Sequence, residues 1–468
     1  MSNQVEALVI GAGISGLATA YALQKAGINT LVVEAAPRPG GVIQSVKRDG
    51  YLLECGPQSF SGNGSITAIC NDLGILNERI LADPKAARYV LIDGELRAVP
   101  MGPGLLTSSF LSGGTRGAIL RDIFGSSQAP EPDESVASFM RRKFSPTLLD
   151  RLVGPFVSGI YAGDPEKLSL RAAFPILHEA EKASGSVARG VFKVMKQRKA
   201  AGGDAPKAPR EKPTLQTFRD GNETLIRAIS AKLGPQLRCG VEATSVASLD
   251  HAREPKAPRF RAILRSARGE ERIDAERLIV SIPTQAAAEL LSTLENGFKT
   301  QLGAVDYSGV AVVSLGYRKQ DVGDPLSGFG FLVPRSSGLS ILGCVWNSSL
   351  FPGRAPEGEV LLTSFIGGAT NPRAVGQTSA ELANQGHREL APLLGLRKEP
   401  VFSNVTIWPR AIPQYNLGHT ATLASLESIR AKFPGLYFSG NYLSGPAIGT
   451  CVEQALKVAD EVRISFAN

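Results

Sequence analysis

Histidine, cysteine and tryptophan are scarce in this 468-residue chain, at four, five and two. His178, His251, His387 and His419 fall nowhere at metal-ligand spacing, and Cys55, Cys70, Cys239, Cys344 and Cys451 make no CxxC pair. Neither structural nor catalytic metal is therefore expected, and isolated thiols in odd number suit a reducing compartment. No apolar run approaches the ~20 residues of a membrane-spanning helix. The opening MSNQVEALVIGAG lacks a basic leader and runs straight into an apolar strand, so it is not read as a cleavable signal. The formal charge of +8 comes without an arginine-rich helix or an aromatic-interleaved basic stripe, which argues against nucleic acid as a partner. A small anion, an anionic membrane surface or plain solubility each account for it.

What is present is enough apolar residue, 43%, for a folded protein, with 50 glycines and 30 prolines to punctuate it. At this length two or three domains should share the chain. Val5 to Ile10 reads as a buried strand. Gly11-Ala12-Gly13-Ile14-Ser15-Gly16 follows, then a helix stopped by Gly27, then a second apolar strand, Thr30 to Glu34. That order is a dinucleotide fingerprint. Gly11 permits the tight turn, Gly13 the approach of a diphosphate to backbone, and Gly16 close packing of helix on strand. The helix start offers its partial positive charge to the diphosphate, and Glu34, with Ala35 beside it, stands where a carboxylate accepts ribose hydroxyls. Arg38 is placed to meet a phosphate, and Gly40 and Gly41 let the chain pass beneath a cofactor.

Residues Leu53 to Phe60, with Gly56 and Pro57, form a turn-rich return toward the nucleotide. Ala87 to Ile92 and Glu95 to Val99 pair about an Asp93-Gly94 turn, with Arg88 at the head of the hairpin. From Gly102 to Phe124 the pattern is amphipathic, suited either to a bilayer interface or to packing on a second domain. Gly159 and Gly163 give VSGIYAGDPEKLS more glycine than a helix interior favours; a flat ligand or an interhelical turn explains it. Ala200 to Pro213 reads as a flexible loop. Arg219 to Leu233 reads as a helix, Leu237 to Leu249 as a strand, and Phe260 to Ile282 as a hairpin; Val241 is placed beside an adenine. Between Tyr307 and Gly368, strand-like runs alternate with turns, as in a mostly antiparallel sheet of a second domain covering a large ligand.

Near the C-terminus, TIWPRAIPQY with Trp408 precedes a strand, Leu436 to Ser439. Gly440, Asn441, Gly445, Gly449 and Thr450 then make a second glycine loop before a helix starting near Ile448. Two glycine-bounded helix starts at opposite ends of one chain are economically explained by one long dinucleotide, FAD, clamped by both.

GAGISGLATAYAL, EAAPRPGG, ECGPQSF, ADPKAARYVLIDGELRAVP, SGIYAGDPEKLSLRAAFP, GFGFLVP, NSSLFPGRAPEGEVLL, IGGATNP, WPRAIPQYNLGH and GLYFSGNYLSGPAIGTCVEQA span essentially the whole chain. Together they resemble the oxygen-dependent protoporphyrinogen oxidase family, within the amine oxidase and desaturase flavoproteins. The resemblance implies an α/β fold: a Rossmann-like FAD-binding domain (3–82, 219–290 and 405–468), a mixed-sheet substrate domain (83–99 and 291–404) and a helical membrane-associated domain (100–199). It implies noncovalent FAD, dioxygen as electron acceptor, peripheral attachment to the cytoplasmic side of a membrane, and no obligatory catalytic side chain. A homodimer and a ferrochelatase-type downstream partner are compatible with it. Arg88 matches an arginine that meets a substrate propionate, Phe351 an aromatic against a pyrrole ring, Gly159 a glycine over the substrate, and Leu332 a leucine on the opposite face. The expected reaction removes six hydrogens from protoporphyrinogen IX and yields hydrogen peroxide. Oxidation of coproporphyrinogen III, an amine oxidase or desaturase activity, and a non-catalytic flavin-binding membrane protein are the alternatives.

Overall fold

A computed structural model describes residues 4–100, 104–108, 110–125, 131–191, 193, 214–249 and 257–467. The loop expected at 200–213, His251 and the side chain of Leu106 lie outside the described residues.

Strand β1 (Gln4–Ile10), helix α1 (Ile14–Lys25) and strand β2 (Thr30–Glu34) form the first unit. β1 pairs in parallel with β2 on one side and with Gly269–Val280 on the other. Leu237–Cys239 extends the sheet beyond β2, and Leu436–Phe438 also joins Gly269–Val280 in parallel. The expected hairpin and its neighbour, Phe260–Ser266 and Val241–Ser248, complete seven strands. Ala7 to Val9 and Leu278 to Val280 are fully buried, as parallel strands covered on both faces must be.

One face is covered by α1 and by the last helix, Ile448–Ala467, with Thr19 Oγ1 donating to the Ala455 carbonyl at 3.4 Å across 436 residues of sequence. Leu17, Ala18 and Ala20 meet Val452, Ala455 and Ala459 in one buried cluster. Alanine at these positions lets the helix axes approach, while each fully buried Leu or Val contributes about 1.5–3 kcal/mol. This packing brings the two glycine loops to one edge of the sheet.

A second seven-stranded sheet runs Phe402–Pro413, Tyr307–Arg318, Glu359–Gly367, Ile341–Trp346, Gly330–Leu332, Arg88–Ile92 and Glu95–Ala98. It is antiparallel except where Gly330–Leu332 runs beside Arg88–Ile92. The Asp93-Gly94 turn has positive φ at both residues, 53° and 84°, as a tight two-residue hairpin requires. Phe402–Pro413, expected from residue 405 onward on the nucleotide side, is instead the edge strand of this second sheet. Its long register with Tyr307–Arg318 is a nonlocal pairing that no local pattern announces.

Helices dominate the described residues between 104 and 191. Helix Gly113–Phe124 exposes Leu120 and Phe124, at 55% and 79%, yet Phe110 and Leu111 just before it are buried. The amphipathic stretch is therefore not one lipid-facing surface: Phe110 packs with Val90 and Ile92 of the second sheet. All five cysteines are free thiols, and only Cys239 is not fully buried. No described helix is long and apolar enough to cross a membrane.

Candidate cofactor and substrate site

The first glycine turn is built as its spacing predicts. Gly11 has φ of 103°, and a Cβ there would lie 2.5 Å from the Ser281 carbonyl oxygen; one at Gly16 would lie 2.0 Å from the Gly11 carbonyl oxygen. Both glycines serve internal packing. Gly13 differs, because a Cβ there meets no protein atom within 4 Å. Helix α1 begins at this point, with no side chain capping its first N–H groups and no acidic residue in its first turn. An open space before uncapped donors fits a diphosphate, so the residues present suit the dinucleotide the sequence implies, with Ile14, Ser15 and Gly16 supplying the first turn.

Glu34, at the end of β2, accepts the Ala12 N–H at 2.8 Å and the Ala36 N–H at 2.9 Å. Each oxygen keeps a further lone pair for a ribose hydroxyl. Cys239 lies in register with Glu34 and Gly240 N–H bonds the Ala36 carbonyl, so the strand that starts at Val241 leaves from the end of β2. Gly40 N–H bonds the Ala12 carbonyl at 2.7 Å, so the Arg38–Gly41 turn folds back over the glycine turn. Arg38 donates to the carbonyls of Pro39, Gly41 and Ile43 and to Gln44 Oε1. Its visible work is to shape its own loop, where a phosphate contact was expected.

A Cβ on Gly56 would lie 2.1 Å from the Val42 carbonyl oxygen, and Trp408 Nε1 donates to the Cys55 carbonyl at 2.7 Å. Pro57, whose carbonyl accepts from Asn222 Nδ2, thus lies in a segment gripped between the Val42 turn and the second sheet. The second glycine loop closes onto the same region: Asn63 Nδ2 donates to the Gly449 carbonyl at 2.9 Å, and Gly445, with φ of 141°, lets Thr450 approach. Gly440 and Asn441 follow directly on the strand Leu436–Phe438, where Ser439 N–H bonds the Val280 carbonyl.

The substrate candidates form two pairs. Arg88 is exposed, lies in register with Gly330, and carries its guanidinium carbon 5.7 Å from the Phe329 ring centre; no acidic side chain pairs with it among the described residues. Phe329 packs in the same cluster as Phe351. Gly159 instead faces Leu332: a Cβ at Gly159 would lie 2.6 Å from Leu332 Cδ2. Helix Gly154–Tyr161 ends at Ala162 in the left-handed region, and Gly163 leaves room for Gln414 Oε1. The two glycines therefore do separate jobs, one against Leu332 and one at the helix end. Gly159→Ala is expected to fold, since the far end of a leucine side chain can turn away, and, where a flat porphyrin lies over Gly159 as the resemblance implies, to bind it roughly 5- to 10-fold more weakly because of the added methyl. Tight binding of porphyrin to this variant, measured by fluorescence titration, is the outcome that contradicts it.

Sequence reasoning missed a buried polar seam between the two sheets. Gln58 Nε2 donates to the carbonyls of Glu54 and Gly56, which fixes its oxygen toward Asn347 Nδ2 at 2.7 Å. Arg354, only 2% exposed, donates to Thr217 and to the Phe218 carbonyl, and its guanidinium carbon lies 5.7 Å from the Phe351 ring centre. Glu54 accepts from Ser45 and from Asn222 N–H; burial pushes its carboxyl up to about 7, against the opposing pull of these bonds and of Arg354. Glu54, closing the apolar run Tyr51 to Leu53, is a local signal for this seam, whereas Arg354 lies in a Gly/Pro-rich turn that gives none.

A family model described as flavin containing amine oxidoreductase matches residues 14–463. The chain is 36% identical over 488 aligned residues to the chloroplastic protoporphyrinogen oxidase of Nicotiana tabacum, covering 98% of this chain and 85% of that one. It is 31% identical to the coproporphyrinogen III oxidase of Bacillus subtilis (strain 168), covering 98% of each. A solved structure from Exiguobacterium sp. 255-15 superposes with a TM-score of 0.79 at 22% identity, over 99% of both chains; that likeness speaks for the fold alone.

Proposed function

The chain belongs to the flavin containing amine oxidoreductase family and is closely related to its protoporphyrinogen oxidase members, and on that premise we propose that it oxidises protoporphyrinogen IX to protoporphyrin IX with noncovalent FAD and dioxygen. The observation that carries the reading is kinship that runs through the substrate side as well as the nucleotide side, with Arg88 free to take a carboxylate. FAD, when bound, would supply the hydride acceptor and the route for electrons to dioxygen, with hydrogen peroxide as the by-product. The protein's part is placement. Arg88 holds a propionate through paired N–H donors, Gly159 and Leu332, which pack against each other instead of facing one another across a ring, close one side of the site, and Phe329 and Phe351 wall it from water. No side chain need act as base: the site works by distance and exclusion of solvent.

Coproporphyrinogen III is the second reading, favoured by the kinship with the Bacillus enzyme over nearly the whole of both chains. Its two additional propionates need further cations or solvent. Aerobic turnover of the purified protein with each porphyrinogen, followed by porphyrin fluorescence and peroxide release, decides between them. Oxidation of neither, with simple amines consumed instead, would overturn both.

Membrane attachment belongs to the same reading, carried by the helical segment 104–191. Leu120 and Phe124 lie one turn apart, as do Phe156 and Ile160, and all four are over 40% exposed. Such apolar tips suit shallow insertion among headgroups. Leu120→Asp with Phe124→Asp is expected to release the protein from anionic vesicles in a flotation assay while leaving detergent-solubilised activity within about twofold. Unchanged flotation would assign attachment elsewhere. Phe110→Asp, in contrast, should unfold the protein, because it buries an unpaired charge.

A further inference from the structure

The motif WPRAIPQYNLGH has a use for Trp408, but its second half, Gln414 to His419, has none in the cofactor or substrate reading. These residues leave the second sheet at Pro413 and cross to the helical segment as a strap. One side is stapled to that segment. Gln414 Nε2 donates to the Tyr161 carbonyl at 2.8 Å, and Ser169 N–H bonds the Tyr415 carbonyl at 2.8 Å. Asn416 bridges Leu168, Leu417 N–H bonds the Lys167 carbonyl, and Gly418 N–H bonds Asp133 Oδ2 at 2.7 Å.

The other side of the strap points at the second glycine loop. The Tyr415 and His419 rings stack, 4.4 Å apart and 9° from parallel, and both residues are buried. Tyr415 Oη donates to the Asn441 carbonyl, and His419 Nε2 lies 2.9 Å from the Tyr442 carbonyl oxygen. A carbonyl can only accept, so Nε2 carries the hydrogen. Asn441–Ser444 is a helical turn of four residues, too short to satisfy its own carbonyls. Two side chains of the strap supply the missing donors.

We infer that the 414–419 strap couples the helical segment to the second glycine loop, with Tyr415 and His419 as positioning residues that hold the loop in its FAD-binding form. The inference rests on the reading that residues 440–450 contact FAD. A shift of the helical segment, on substrate entry or membrane docking, would then reach the cofactor through four hydrogen-bond staples and two carbonyl bonds.

The test is FAD binding by apoprotein, read from quenching of flavin fluorescence, with the thermal melt of each apoprotein recorded in parallel. Tyr415→Phe and His419→Phe keep the stacked rings and remove one donor each. Each is expected to weaken FAD about 5- to 10-fold, the value of one buried hydrogen bond. His419→Gln, whose amide can reach the same carbonyl, should restore binding to within about twofold. Asp133→Ala, on the helical side, should weaken FAD about threefold, and its effect should not add to that of His419→Phe if both act through the strap. Wild-type FAD affinity in both ring-preserving variants overturns the positioning role, whatever happens to stability. Wild-type affinity in Asp133→Ala, or full additivity, overturns the coupling. Gly13→Val separates the premise from the inference: if it abolishes FAD binding while the strap variants bind normally, the cofactor site stands and the strap proposal falls. If no variant alters FAD binding, the cofactor reading itself fails.

Discussion

Gly13→Val is expected to yield a protein that folds like the wild type and emerges without yellow colour. The basis is the contrast among three glycines of one turn. At Gly11 and Gly16 an added Cβ would strike backbone oxygen at 2.5 and 2.0 Å, so substitutions there should damage folding. At Gly13 it strikes nothing, so the added bulk falls only on whatever occupies the space before helix α1. If that is a diphosphate, the side chain displaces it from the N–H groups of the first turn, and overpacking costs of about 1–3 kcal/mol plus lost hydrogen bonds imply on the order of a 100-fold loss in affinity. Flavin absorbance per protein, together with a circular dichroism melt of the apoprotein, provides the check. A folded Gly13→Val protein with full FAD content would show that the diphosphate lies elsewhere.

Arg88→Ala should produce the largest kinetic loss that spares the cofactor. Arg88 stands at the start of a hairpin whose Asp93-Gly94 turn fixes its register, and the parallel pairing with Gly330 anchors its backbone. The side chain is exposed and lies over Phe329 without an acidic partner, so its removal breaks no ion pair among the described residues and should leave folding intact. A guanidinium holding a propionate through two hydrogen bonds contributes about 2–4 kcal/mol to transition-state binding, which corresponds to roughly 30- to 1000-fold in kcat/KM. Lysine cannot reproduce the paired geometry, so Arg88→Lys should recover only part of the loss. The propionate diester of the same porphyrinogen, bound in the same pose, should be far less sensitive to the substitution. Equal fractional losses for acid and ester, or wild-type kcat/KM in Arg88→Ala, would remove Arg88 from the propionate site.

The residues of these two experiments were legible for different reasons. Gly11, Gly13, Gly16 and Glu34 announce themselves because strand, turn and helix follow each other within one short stretch, and backbone sterics dictate glycine at each tight point. Arg88 was legible only as the head of a hairpin; the propionate role proposed for it rests on resemblance, since the residue has no local peculiarity. Glu54, Gln58, Arg354, Tyr415 and His419 were not legible as a set. The contacts that join Glu54, Gln58 and Arg354 to the rest of the seam span more than a hundred residues, as with Gln58 and Asn347 at a separation of 289, and Tyr415 and His419 bond carbonyls 26 and 23 residues on, beyond the reach of any local pattern.

By itself the sequence determined the elements whose cause is local: β1, α1 and β2 at their observed places, the Asp93-Gly94 hairpin, the second glycine loop, and the apolar strands of both sheets. Period and turn chemistry act over a few residues, and so does the evidence for them. Only the tertiary structure decided which apolar residues meet which. It buried Phe110 against the second sheet while leaving Phe124 in solvent, placed Phe402–Pro413 on the second sheet, turned Arg38 onto its own loop, and set Arg354 over Phe351. Burial is won by whichever surfaces come together most favourably across the whole chain, so an amphipathic pattern specifies that a face will be covered and leaves its partner to the fold.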